Sequence, residues 1–317
     1  MADVIIVPAK ALETQKRRFN FHMTMRRREA IMGYIFLTPW LIGFLVFLVG
    51  PMLTSIYLSM TNYKMISSPV WIGLANYERM IADPLVIHSL TVTIKYTAFA
   101  VPLGMIAAMA IAVLLNQKIH ASGIFRTVFY LPSVISGVAV ALVFVWIFNY
   151  RFGLLNYFLS LVGIDGPNWL GSPRYALWAF VLMSLWGIGG NVVIYLAGLQ
   201  GVPVSLIEAA IIDGASPWTR FWKITLPLLT PVVLFTMVMG VIASFQTFTQ
   251  AYIMTGGGPA NATLFFLLYL YKNAFNWFEM GYASALAWLL FTIIMIVTII
   301  MWTSSARWVY YEGEERQ

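Results

Sequence analysis

The chain has 317 residues, of which 61% are hydrophobic and only 10% charged. A soluble domain carries roughly 25% charged and roughly 45–50% apolar residues, so an ordinary globular protein is excluded. The mean hydropathy of +0.81, with 12 Trp, 16 Tyr and 22 Phe, points instead to a polytopic membrane protein. The absence of cysteine rules out disulfide frameworks, thiolate catalysis and Cys-ligated metals. The formal net charge of +7 is compatible with nucleic acid only until its distribution is counted.

Residues 1–29 form a basic tail with Lys10, Lys16, Arg17, Arg18, Arg26, Arg27 and Arg28. Phe19, Phe21, Met23 and Met25 are interleaved, so the tail suits either an interfacial position on anionic lipid or solvent. A helix needs about 20 apolar residues to cross a bilayer. Six windows qualify: Ile31–Met60, Ser89–Leu115, Ile124–Phe148, Tyr175–Leu199, Leu226–Ile253 and Gly281–Ser304. The first exceeds the usual 7–15-residue core of a signal peptide and ends without an A-x-A-like site, so it is read as a permanent anchor. The expected fold is all-α, with six transmembrane helices in residues 30–306 and a short tail over 307–317.

Basic loops stay on the cytoplasmic side. With the N-terminal tail inside, 13 Lys and Arg fall inside and 5 outside, and Lys95 is left within the second window. Both termini are therefore expected in the cytoplasm. The charge then acts as a topology signal, and no nucleic-acid partner is needed. Segments on the other side run to about 26–28 residues. They carry turn-forming pieces such as Ser67-Ser68-Pro69, Gly166-Pro167 and Gly256-Gly257-Gly258-Pro259. Trp71, Tyr77, Trp169 and Trp277 suit the membrane–water interface.

Ionisable groups inside spans are functional candidates. Lys95 either snorkels to the interface or faces a path and favours an acidic ligand. Amides and aromatic rings suit the hydroxyls and apolar faces of a sugar. The fourth window offers Trp186, Asn191 and Tyr195, and the fifth offers Phe245, Gln246, Gln250 and Tyr252. The same amides also serve as helix–helix glue, and both readings stay open. No G-x-x-x-x-G-K-[ST] phosphate loop occurs, so ATP hydrolysis by this chain is not expected. His22, His88 and His120 lie too far apart for a zinc motif, so no metal is expected. The acidic residues form no paired carboxylates within a span.

Between the fourth and fifth windows, residues 200–225 read as two short helices around a tight turn. Ser205 and Glu208 have capping-box spacing, so a helix is expected to begin near Val204 to Leu206. Gly214 suits a left-handed helix end, Ser216 an N-cap and Pro217 a first helical turn. Small Ala209 and Ala210 with apolar Leu206, Ile207, Ile211 and Ile212 suit either contact with another protein or packing beneath the chain's own spans. Glu208, Ala209, Ala210, Gly214, Ile224, Leu226 and Pro227 fill every fixed position of E-A-A-x3-G-x9-I-x-L-P. That pattern resembles the signature loop of permease subunits in binding-protein-dependent ABC importers.

Phe129-Tyr130-Leu131-Pro132, Gly153-Leu154-Leu155-Asn156, Ala197-Gly198-Leu199-Gln200 and Thr255-Gly256-Gly257-Gly258-Pro259 are similar to segments of sugar-importer permeases of the maltose and glycerol-phosphate type. The chain resembles the first permease of such pairs, without the maltose permease's large extra outside domain.

The resemblance implies a bacterial or archaeal plasma (inner) membrane and a sugar or oligosaccharide substrate. It implies three kinds of partner: a second homologous permease, two ATP-binding subunits holding ATP and Mg, and an extracytoplasmic solute-binding protein. The loop would dock on an ATPase, with Glu208 as a charged contact, Ala209 and Ala210 allowing close approach, Gly214 making the turn, and Asp213 capping or pairing beside it. The alternative class is an ion-coupled secondary transporter, which would show intramembrane carboxylates or discontinuous helices in two related halves.

Overall fold

The computed structural model describes residues 24–117 and 122–310. Most of the basic tail, with Lys10 to Arg18 and His22, lies outside the described residues, as do Lys118, His120 and Arg316. The chain divides into two units, one ending at Thr54 and the other beginning at Ser55. Helix α1 (Met25–Phe44) passes through a π-turn at Leu45–Val49 into α2 (Gly50–Ser59), giving one apolar helical run of 35 residues. Within the first unit, Thr38 donates to the Tyr34 carbonyl and Trp40 stacks on Phe44 at 5.3 Å.

In the second unit, a two-stranded pairing of β1 (Thr61–Asn62) with β2 (Val70–Trp71) leads to α3 (Ala75–Ala82). Then follow α4 (Pro84–Leu115), α5 (Ser122–Val134), α6 (Gly137–Ile147), α7 (Leu154–Leu161), α8 (Ala176–Ser184), α9 (Gly189–Gln200) and α10 (Val204–Ile212). The chain closes with α11 (Pro217–Arg220), α12 (Leu226–Phe245), α13 (Thr249–Met254), α14 (Phe266–Tyr271) and α15 (Met280–Ser305). Among the described residues, four helical runs are long and apolar enough to cross a membrane, and two bent helix pairs also qualify if each pair is one crossing.

The third and fourth windows are not single straight helices. α5 and α6 meet at 98°, and the run through α8 meets α9 at 49°. Pro132 brings no N–H to α5, the Ile135 amide closes a tightened turn onto the Pro132 carbonyl, and the chain turns at Ser136. In the fourth window a 3-10 turn at Leu185–Gly187 separates α8 from α9 within a glycine-rich run. A shorter interruption at 246–248 separates α12 from α13.

α4 is the central post of this unit. At one end, fully buried Phe265 packs edge-on to Tyr96 (5.1 Å) and Phe180 (5.4 Å). At the other, buried Ala108 and Ala112 let α9 and α12 close in around Val192, Tyr195 and Leu229. Polar bonds pin the register: Thr97 to Ser244 at 2.8 Å, Tyr195 to Thr236 at 2.6 Å, and the Phe266 amide to Thr93 at 2.9 Å.

A polar collar gathers the ends of α3, α4, α14 and α15. Asp83 caps α4 by accepting from the Leu85 amide at 2.9 Å, while its other oxygen accepts the phenols of Tyr269 and Tyr282. Arg79 lies 4.1 Å above the Tyr282 ring and pairs with Glu279 at 2.7 Å. Burial alone would raise the Asp83 pKa. The two phenols, the Leu85 amide and the Arg79 charge outweigh it and hold the carboxyl below its usual range.

Candidate functional site

Two places in the second unit have the makings of a site. The first is a cavity of ≈ 490 Å³ at the level where the helices break. That volume falls within the usual range for small-molecule pockets. The broken ends supply its wall: Pro132, Ser133 and Ile135 close α5, Gly137 opens α6, and Gly187 and Ile188 lie between α8 and α9. Gln246 and Thr247 occupy the interruption before α13, and α4 contributes Tyr96, Ala100 and Gly104 at helical spacing.

Four residues expected from the sequence line this cavity: Trp186, Asn191, Gln246 and Gln250. The first is a half-exposed ring edge-on to Phe144 at 6.0 Å. Gln250 reaches α6 through a glycine: a Cβ on Gly137 would stand 3.5 Å from its Nε2. The other four lie elsewhere. Tyr195 is fully buried with its hydroxyl on Thr236, and Phe245 belongs to the apolar core. Tyr252 stacks with Phe248 at 5.6 Å and meets Tyr271 at 5.5 Å, forming an aromatic group outside the lining. Lys95 is exposed on α4 beside the buried Tyr96 and does not line the cavity. Sequence reasoning passed over Tyr96, Ser133, Ser184 and Thr247, which do line it. Composition gave no signal for them, because many hydroxyls in these spans only bond back to their own helix, as Thr91 does to the Ile87 carbonyl at 2.7 Å.

The lining combines an indole face, three side-chain amides, several hydroxyls and aliphatic walls. None of its residues is Asp, Glu, Lys, Arg or His. Such a surface can hydrogen-bond hydroxyls and stack against an apolar ring face without a fixed charge.

The second place is the loop between α9 and α12. α10 begins after Pro203, two residues earlier than a Ser205 cap requires, so Ser205 lies inside the first turn and the expected capping box is not made. Its other end forms as expected. Gly214 has φ +75°, its amide donates to the Ile211 carbonyl (3.0 Å), and the Ala215 amide donates to Ala210 (2.9 Å). This pair of bonds is the Schellman closure. Ser216 then caps α11 by accepting from the Thr219 amide at 3.2 Å, with Pro217 in the first turn. Glu208, Ala209, Asp213 and Gly214 are exposed, whereas Ala210 is buried against the chain itself. Ile211 and Ile212 stand 53% and 85% exposed, which solvent alone does not favour.

No group of three His, Asp or Glu able to hold a metal occurs among the described residues. Helical runs of membrane-crossing length, an uncharged internal cavity and an exposed apolar helix between two of the crossings define a membrane transport component. Residues 100–313 match the family described as "Binding-protein-dependent transport system inner membrane component", and the chain belongs to that family. It is 46% identical over 294 residues to the Probable ABC transporter permease protein YesP of Bacillus subtilis, covering 91% of this chain and 95% of the relative. It is 33% identical over 283 residues to the Trehalose/maltose transport system permease protein MalF of Thermococcus litoralis, covering 89% and 96%. A chain of a bacterial alginate ABC transporter, solved with its alginate-bound periplasmic protein, shares the fold with a TM-score of 0.78 at 21% identity, covering 88% of this chain and 96% of that one. As a member of this family the chain is a transport subunit, and ATP hydrolysis lies on its partner subunits.

Proposed function

We propose that this chain is the six-span permease subunit of an ATP-driven importer, with both termini in the cytoplasm, that moves a sugar or oligosaccharide handed over by a solute-binding protein. The observation that carries the reading is that one chain joins an exposed, Gly214-closed helix to an uncharged cavity lined by amides and hydroxyls, directly through α9 and by way of α11 through α12. The trehalose/maltose permease among its relatives supports a saccharide, as does a lining of amides, hydroxyls and one indole. A count of six spans, with each bent pair taken as one crossing, is compatible with the helices, and the charge tally supports a cytoplasmic α10.

In this reading α10 presents Glu208, Ala209, Asp213 and Gly214 to an ATPase subunit, and a second homologous permease completes the path. ATP and Mg reside on the two ATPase subunits. ATPase closure displaces α10 and biases the permease between inward- and outward-open states, while the loaded binding protein biases the same equilibrium from the other side. Discontinuous helices are also what an ion-coupled transporter uses. Family membership and the absence of Asp and Glu from α4 through α6, α8, α9, α12, α13 and α15 favour the ATP-driven reading over it.

The test is purification of the full chain from its native membrane in mild detergent, with mass spectrometry of stoichiometric companions. A second permease and an ATPase at two copies are the expected result. The chain alone, transporting in sealed vesicles without ATP, overturns the proposal.

A further inference from the structure

Gly189 opens α9 and has no room for a side chain. A Cβ there would overlap the Phe129 carbonyl oxygen of α5 and lie 2.9 Å from the Tyr130 Cα. Both obstacles are backbone atoms, so no rotamer change relieves them, and only glycine permits the approach. Its neighbours differ: a Cβ on Gly187 or Gly190 meets nothing within 4 Å. The contact with α5 therefore sets the requirement at Gly189, not a general need for a loose helix break.

The connectivity makes this contact consequential. α9 runs for 12 residues from the cavity, which Ile188 and Asn191 line, to Gln200, and only Gly201–Pro203 separate it from α10. At about 1.5 Å per residue it is a rod of about 18 Å. α12 is tied to the same loop by the chain itself through α11, and to α9 by the Tyr195–Thr236 bond. α5 has no such covalent link to the loop. Yet three residues beyond the contact, Pro132 and Ser133 form a wall of the cavity, after which the chain turns through 98° into α6.

We infer that Gly189 is a positioning residue for transport: its backbone contact with Phe129 and Tyr130 makes α5 follow α9, so that displacement of α10 moves the Pro132–Ser133 wall. Close-packed backbone transmits a displacement with little slack, whereas flexible side chains absorb it. The segment Phe129–Pro132 thereby acquires a task in the cycle. The inference rests on the reading of α10 as the ATPase contact, and evidence for such a path must be a displacement that both ends share.

The native chain lacks cysteine, so introduced cysteines are the only labelling sites in it. The full complex, with partner subunits, is spin-labelled at Thr127→Cys on α5 or Val193→Cys on α9, each against Ile296→Cys on α15; all three positions are exposed. Distances are measured without nucleotide and after trapping with ATP and vanadate. In the native background both distances shift. In Gly189→Ala the Val193 shift is retained, the ATPase subunits still co-purify, and the Thr127 shift is lost; Gly190→Ala behaves as native. A Gly189→Ala complex whose Thr127 shift matches the native one overturns the inference. If Gly189→Ala does not assemble, the native Thr127–Val193 distance decides: constant between the two states, it supports the inference; altered, it overturns it. Glu208→Lys tests the underlying reading separately, because a complex that keeps its ATPase subunits after that change removes α10 as their contact whatever Gly189→Ala does.

Discussion

Asp83 carries more of the fold than its place between two helices would indicate. It accepts three hydrogen bonds, one from the first turn of α4 and two from phenols on α14 and α15. Asp83→Ala removes a helix cap and strands both hydroxyls, and should cost about 2–4 kcal/mol. Thermal unfolding of the detergent-solubilised complex reads that loss. A carboxyl whose folded pKa is depressed contributes stability above its unfolded value of about 3.9, and the contribution is lost as pH falls through the lower folded value. Asp83→Asn should therefore flatten the decline in unfolding temperature below about pH 4, while leaving the slope at neutral pH unchanged. Tyr195 makes a contrasting case. Its hydroxyl meets Thr236, which also bonds the Val232 and Val233 carbonyls, so Tyr195→Phe leaves its partner satisfied. A loss of about 1 kcal/mol or less with unchanged uptake is expected, and a large rise in KM would show that this hydroxyl meets substrate.

Among the elements, the loop of α10 and α11 was the most legible in the sequence, since its ends are governed by single-residue stereochemistry. Gly214 at φ +75° and Ser216 at the cap of α11 are local requirements that a one-dimensional reading can see. The capping residue of α10 was not legible to the same degree. The helix begins at Val204, inside the expected range, but Pro203 takes the cap position and leaves Ser205 and Glu208, despite their spacing, two residues out of register for a capping box. Gly214→Val forces a branched side chain into the left-handed region at about 1–2 kcal/mol. ATPase association measured by co-purification should weaken about tenfold with membrane insertion intact. Ser216→Ala loses one cap and should be milder, about 1 kcal/mol by thermal unfolding. The spans show the converse. The third and fourth windows fall on the helix pairs α5–α6 and α8–α9, and a sliding average carries no sign of their 98° and 49° bends.

At the scale of the whole molecule, the polar residues of the spans sort into three kinds that hydropathy does not distinguish. Some join helices, as Thr97 joins Ser244 and Tyr195 joins Thr236. Others bond back to their own helix, as Thr91 does to Ile87. A third set, with Asn191, Gln246 and Gln250, surrounds the cavity together with Trp186. Replacing Trp186 or Gln250 by Ala should raise the KM for sugar uptake about tenfold in proteoliposomes containing the full complex, with ATPase association unchanged. An unchanged KM in both variants would remove the cavity as the sugar's resting place.

The membrane class, the apolar windows and the turn and cap of the α10–α11 loop were legible along the chain, because each is fixed by composition or by stereochemistry within a few neighbouring residues. Helix rotation, the meeting of three broken spans at one cavity, the collar on Asp83 and the need for glycine at position 189 were decided only in the tertiary structure. Gly187, Gly189 and Gly190 read alike along the chain, and only the arrival of the Phe129 carbonyl from a distant helix separates the one in the middle. Which face of an almost uniformly apolar helix meets a neighbour depends on the shapes brought to it from elsewhere in the chain, and that information is not local.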